Sequence, residues 1–328
     1  MQNPSAAVLN IRSLNVNKIR NMLQKFGLLF VIIVLSLIMS IIKPVFMTSG
    51  NIVNVLRQVS MNGILAVGIT FVILTGGIDL SVGAIVAVTS VISGRLLEEG
   101  HSFEMALGLG MAAALVFGLF NGILIALGGL PPFIATLSTM AIARGTALVY
   151  SDGRPYLILH GSYLAIGKGS TLGVPNPIWI LLVVCLLAYI ILNFTVFGRH
   201  IYAFGGNRQA AKLAGVRVKL VEIVVYAISG ILSGVTAIIL SARISSGQPI
   251  SGQGYELDAI AAVAIGGTSM VGGSGTLGGT VLGFIIIGIM INSLTLLNVS
   301  SFYQQIVKGF IIIAAVMLDM QAKRRSSQ

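Results

Sequence analysis

Hydrophobic and polar positions along the chain separate into long apolar blocks cut by glycine, proline and charge clusters. The blocks are 26–42, 56–74, 80–95, 105–127, 133–150, 178–196, 220–241, 259–271, 277–297 and 304–320. None shows the period-two alternation of an outer-membrane barrel strand. Most approach the roughly 20 apolar residues that a helix needs to cross a bilayer. The pattern predicts an all-α polytopic membrane protein of about ten transmembrane helices, some of them short or broken. The breaks fall at Thr75-Gly76-Gly77-Ile78-Asp79, before block 80–95, and at Gly272-Gly273-Ser274-Gly275, after block 259–271. Non-helical backbone at membrane depth is tolerated only where protein covers it or water fills a cavity, so these breaks predict a path or a hinge. Glycines spaced by four at Gly118 and Gly122, Gly230 and Gly234, and Gly279 and Gly283 predict helices in close approach. Asn121-Gly122-Ile123-Leu124 and Asn292-Ser293-Leu294-Thr295 end two spans of opposite direction, as an inverted repeat requires.

Composition agrees with this class. Of 328 residues, 56% are hydrophobic and 9% charged, against about 25% charged in soluble domains. Ten spans leave no room for a large soluble domain. The net charge of +11 matters through its placement. Arg12, Lys18, Arg20 and Lys25, then Arg199, Arg208, Lys212, Arg217 and Lys219, then Lys323, Arg324 and Arg325 occupy three stretches without a single acid. The positive-inside rule puts all three in the cytoplasm. Six blocks precede the central basic stretch and four follow it, so both even counts agree with cytoplasmic termini. A membrane explains this charge without nucleic acid as a partner. The run 26–42 is followed by Lys43-Pro44-Val45-Phe46-Met47, which offers no small-residue cleavage site, and reads as a retained first span. Cys185 has no partner cysteine and reads as helix packing.

Catalytic chemistry is hard to find. Gly161 to Ser170 imitates a phosphate loop but has one residue too many between its glycines, and Gly169 where Ser or Thr must follow the lysine. Gly273-Ser274-Gly275-Thr276-Leu277-Gly278 matches the letters of a dinucleotide fingerprint without its βαβ context. His101, His160 and His200 lie far apart in loops, and no metal-ligand spacing recurs. Asp79, Arg144 and Lys308 are the ionisable residues expected within the bilayer, which gives an ion-coupled carrier no proton relay. Asp79 is expected to cap the half-helix that follows it, or else to act in gating or substrate contact.

The central basic loop, 198–219, carries the sharpest signal. After Gly205-Gly206-Asn207 it predicts a short helix from Arg208 to Leu213 stopped by Gly215, too polar to span and too short to fold undocked. Gln209-Ala210-Ala211-x3-Gly215 resembles the Glu-Ala-Ala-x3-Gly loop of ATP-binding cassette importer permeases. Gly205-Gly206-Asn207 is similar to the ribose-type sugar branch. So are Leu74 to Gly83, Phe133-Ile134-Ala135-Thr136-Leu137, Gly254 to Ala262 and Gly266-Gly267-Thr268-Ser269. The similarity runs from about residue 26 to 320, and Gln209 departs from the motif's glutamate.

That resemblance implies a membrane-spanning subunit of a bacterial sugar importer in the inner membrane, with a basic cytoplasmic tail at 1–25, a permease domain at 26–320 and a cytoplasmic tail at 321–328. It implies no enzyme activity and no cofactor in this chain, ATP and magnesium being held by a separate ATPase. It also implies a periplasmic sugar-binding protein and a second copy of the permease. Gly205, Gly206, Asn207, Gln209, Ala210, Ala211 and Gly215 are the expected ATPase contacts. A sugar path needs polar neutral walls, for which Asn62, Asp79, Asn121, Thr136 and Asn292 are the candidates. Segments 96–104, 151–177 and 243–258 form the expected outer surface, with Glu98, Glu99, Glu104, Asp152, Arg154, Glu256 and Asp258 available for ion pairs to the binding protein. A self-sufficient secondary carrier or channel for a small polar solute is the competing reading.

Overall fold

The computed structural model describes residues 27–326, so the N-terminal tail 1–25 and the last two residues of the tail 321–328 lie outside it. Helix α1 covers Gly27–Ile42, and a 3-10 turn at Pro44–Met47 leads to α2, Ser49–Leu74. Then follow α3 (Val82–Glu98), α4 (Phe103–Ala126), α5 (Pro132–Ser151), α6 (Gly161–Lys168), α7 (Asn176–Phe194), α8 (Val196–Gly206), α9 (Arg208–Leu213), α10 (Val218–Ile244), α11 (Tyr255–Ile265), α12 (Leu277–Leu296) and α13 (Ser301–Ser326). Each of the ten apolar blocks overlaps a helix among the described residues. Among the described residues, six helices are long and apolar enough to cross a membrane: α2, α4, α5, α7, α10 and α12.

Helix ends follow local chemistry. Thr48, Ser102, Thr195, Asn207 and Thr276 accept from the N–H groups of Asn51, Met105, Gly198, Ala210 and Gly279, satisfying donors that a helix start leaves free. The cap at Thr48 starts α2 two turns earlier than hydropathy alone predicts. Gly266 and Gly267, the latter at φ +79, end α11 six residues earlier than its apolar block.

Helices α2 and α10 form the centre, and every residue of α2 from Val59 to Leu74 is buried. The predicted glycine contacts are present. A Cβ on Gly118 would lie 3.0 Å from Gly230 Cα, and one on Gly234 would lie 2.7 Å from Ala114 Cβ, so α4 and α10 touch backbone to backbone. Gly279 and Gly283 likewise lie against Gly266 and Ala262, joining α12 to α11. The packing order repeats within the chain. Helix α10 packs on α4 as α2 packs on α12; α3 packs on α4, α5 and α10 as α11 packs on α12, α13 and α2. Asn121 on α4 and Asn292 on α12 thus sit on counterpart helices, as the sequence repeat requires.

Helix α10 provides a ruler of about 40 Å for its 27 residues. At one end sits α9. At the other, β4 (Ser246–Gly247) pairs antiparallel with β1 (Tyr156–Leu157), Tyr156 opposite Gly247. A second small ribbon joins β2 (Ser170–Thr171) to β3 (Val174–Pro175) beside α6. The chain after α2 turns back, so Asp79 meets Ser229, the twelfth residue of α10. Gly252 lies against Gly83, so loop 248–254 also dips inward, and α3 and α11 both begin near mid-height.

Candidate functional site

Three of the expected path residues converge at this mid-height break. Asp79 is fully buried. Its Oδ1 accepts from Ser81 N–H at 2.9 Å and Ser81 Oγ at 2.6 Å, and its Oδ2 accepts from Ser229 Oγ at 2.7 Å. Asn121 Nδ2 donates to Ser81 Oγ at 2.8 Å, and Thr136 Oγ1 donates to the Ile78 carbonyl at 3.2 Å. Helices α4, α5 and α10 thereby fix the turn that opens α3. Asp79 caps through the Ser81 N–H one residue ahead of α3 rather than through the helix's own first turn. Asp79 has no cationic partner among the described residues, and its two oxygens are met by neutral donors, as a buried carboxyl group requires. Asn121 Oδ1 and Thr139 Oγ1 meet no hydrogen-bond partner among the described residues.

Asn62 and Asn292 lie elsewhere. Asn62 is buried within α2. Asn292 forms a reciprocal amide pair with Asn51, at 2.8 and 3.1 Å, joining α12 to the start of α2. Its hydrogen-bonding capacity is taken by a helix partner.

Arg144 is the site residue that sequence reasoning named without a role. Its Nη1 donates to the carbonyls of Pro249 and Ser251 at 2.7 and 2.9 Å, and its Nη2 to that of Gly83 at 3.4 Å. One guanidinium on α5 thus holds the dipping loop against the start of α3. The signal was a lone arginine in an apolar block; the carbonyl partners carry no side-chain signature.

The dip corrects part of the expected outer surface. Segments 96–104, 151–177 and 243–258 do meet at one end. Glu98 accepts from Leu157 N–H, Ile158 N–H donates to Ser245 O at 3.0 Å, and β1 pairs β4. Glu99 pairs with Arg95 at 2.7 Å; Arg154 and Asp152, 4.0 Å apart, are about four-fifths exposed. Glu104 sits in the first turn of α4. Glu256 and Asp258, by contrast, belong to the inward start of α11. Glu256 Oε1 accepts from Gly254 N–H, and Asp258 is 3% exposed and paired with Lys308 of α13 at 2.8 Å. The fold withdraws Asp258 from any docking surface, because α11 begins inside the protein.

The short helix predicted from Arg208 to Leu213 is α9. Asn207 Oδ1 accepts from Ala210 N–H at 2.9 Å, and Gly215, at φ +87, turns the chain. Arg208 bridges Glu222 of α10 at 2.8 and 3.3 Å and lies over the Phe204 ring. Ala211, expected as a partner contact, instead faces inward: it is 4% exposed and packs with Phe204 and Val218. Its small side chain seats α9 on the body of the protein. The outward face consists of Gln209, Ala210, Lys212, Leu213 and Ala214. Leu213, 87% exposed, was missed; a lone leucine in a polar helix was its signal. Tyr202 on α8 donates to the Gly275 carbonyl at 3.1 Å, and burial raises its phenol above the usual value, so it remains a donor at neutral pH.

A protein family described as branched-chain amino acid transport system / permease component matches residues 51–316. The chain is 46% identical over 299 residues to the ribose import permease protein RbsC of Bacillus subtilis, covering 90% of this chain and 93% of the relative. It is 45% identical to the protein of the same name from Haemophilus influenzae, covering 88% and 90%. It is 39% identical to the L-arabinose transport system permease protein AraH of Escherichia coli, covering 92% and 93%. No solved structure matches the chain. The chain belongs to this family of transport-system permeases, as a multi-pass membrane component and not a catalytic subunit.

Proposed function

We propose that this chain carries ribose inward across a bacterial inner membrane as the permease of an ATP-driven importer. The observation that carries the sugar is the ranking of relatives: three ribose permeases at 44 to 46% identity stand above the arabinose permeases at 39% and below. Ten helices cross the membrane, both termini are cytoplasmic, and a second copy completes the permease among the lipids. ATP and magnesium belong to a partner ATPase; this chain holds no cofactor. The ATPase receives α9 through Gln209, Ala210, Leu213 and the turn at Gly215, while Gly205, Gly206 and Asn207 set the angle at which α9 is presented and Ala211 seats it. Leu213 supplies an apolar contact of the kind a helix lays into a groove. A periplasmic binding protein delivers sugar to the opposite end, near Glu98, Glu99 and Arg154.

The path runs past the mid-height break, where Asp79 holds the turn and Asn121 and Thr136 stand beside it. Asn121 Oδ1, buried and without a hydrogen-bond partner among the described residues, becomes an acceptor for a sugar hydroxyl when the break opens. Asn62 lies along α2 further from the break, and Asn292 supports the helix pair.

Uptake into vesicles containing the purified permease tests this reading. Accumulation should require the ATPase, ATP and ribose-loaded binding protein together. Accumulation driven by an ion gradient without the ATPase would make the chain a secondary carrier.

A further inference from the structure

Where α8 ends, three chain segments meet at glycine backbones. A Cβ on Gly205 would overlap Leu74 O and Gly273 N. A Cβ on Gly273 would lie 2.7 Å from both Gly206 Cα and Gly206 N, and one on Gly272 would lie 2.7 Å from Gly76 N. The Gly273 N–H donates to Leu74 O at 2.9 Å, and Tyr202 ties α8 to the same loop through Gly275 O. Gly76 and Gly273 sit at φ +78 and +75, where side chains are strained. Beyond this junction lie the two breaks. The Leu74 end leads within five residues to Asp79 and within eight to the start of α3; residues 266–276 join α11 to α12. On the other side of the junction, α9 follows Gly206 after a single residue.

We infer that the backbone junction of Gly205 and Gly206 with Leu74–Gly76 and Gly272–Gly273 transmits movement of α9 to both re-entrant segments, and that Tyr202 and Gly273 are positioning residues for transport. This rests on the docking of α9 to the ATPase proposed above. Backbones in van der Waals contact have no side chain between them to yield, so a displacement of α8 is passed on rather than absorbed. A direct hydrogen bond and an aromatic tether keep the contact from opening. Coupling then depends on contact geometry and not on the strength of ATPase binding.

The test uses the whole importer in vesicles, with permease, ATPase and binding protein, and measures ribose imported per ATP hydrolysed. Tyr202→Phe removes one tether without adding bulk; Gly273→Ala wedges the contact. Both should retain the ATPase and its hydrolysis while the ratio falls by at least about fivefold in Gly273→Ala, the low end of typical site-to-site couplings, and by a smaller measurable factor in Tyr202→Phe. If Gly273→Ala fails to reach the membrane, Tyr202→Phe decides alone. An unchanged ratio in folded variants with the ATPase bound overturns the junction and leaves α9 docking intact. Failure of the unaltered permease to retain the ATPase, or of Leu213→Asp to release it, overturns the docking reading and this inference with it.

Discussion

Asp79 shows how a single residue can be visible in sequence while its role stays hidden. An acid at the edge of an apolar block must be compensated, but its partners lie two residues away at Ser81 and 150 away at Ser229. Three neutral donors converge on the carboxylate, so shape and acceptor capacity matter more than charge. Asp79→Asn should therefore fold and retain ribose uptake within about twofold, since the amide oxygen keeps the Ser81 bonds and Ser229 Oγ can turn to accept. Asp79→Leu leaves the Ser81 and Ser229 donors without an acceptor, and should cost about 1–3 kcal/mol for each buried group so stranded. Thermal unfolding of the purified permease beside uptake measures both. A folded Asp79→Asn protein with no uptake would show that the charge itself takes part in translocation. Asn292 teaches the same lesson: an amide in an apolar span was legible, but its partner Asn51 lies 241 residues away, beyond anything periodicity reports.

At the scale of elements, hydropathy located every block because a span must be apolar whatever it packs against. Depth was not legible. Loop 245–254 reads as a surface loop because its Ser, Gly, Gln and Pro residues suit a turn at any height, yet Arg144 draws it down to Gly83. That is why Glu256 and Asp258 were assigned to the surface. Glycine spacing was legible where the helices it joins were not. It foretold close contact at Gly118, Gly122, Gly230 and Gly234, and the fold sets all four in the seam of α4 and α10, Gly118 against Gly230, Gly122 against Ile223 and Gly234 against Ala114. The seam can be tested within one helix. Gly118→Ala pushes a methyl to 2.6 Å from Tyr226 O and should destabilise by about 1–3 kcal/mol, as overpacking does. Gly108→Ala, on the same helix with nothing within 4 Å, should be neutral or stabilising by up to about 1 kcal/mol, the helix-propensity difference. Equal melting temperatures for the two variants in detergent would mean that α4 and α10 do not touch backbone to backbone.

For the whole molecule, the charge distribution and the helix order make the same claim about sidedness. Six apolar helices, α1 to α5 and α7, precede the basic loop and four, α10 to α13, follow it. If each crosses once, the N-terminal tail, α9 and the C-terminal tail share one face, and the ends of α3 and α10 with β1 and β4 lie on the other. Along α10, α9 sits at one end and β4 at the other, so this one helix separates the two faces. Helices α3 and α11 are not among the six long enough to cross alone; each begins at mid-height, and a crossing there needs the re-entrant segment before it as well. Single cysteines in a Cys185→Ser background decide the matter by their reaction with a membrane-impermeant maleimide. Arg154→Cys should label in intact cells. Gln209→Cys, Ser5→Cys and Ser327→Cys should label only after the membrane is opened. Labelling of Arg154→Cys and Gln209→Cys from the same side would remove one crossing before the basic loop. Opposite behaviour of Gln209→Cys and Ser327→Cys would remove one after it, and α11 with its inward-dipping loop would then be a hairpin that never reaches the far face.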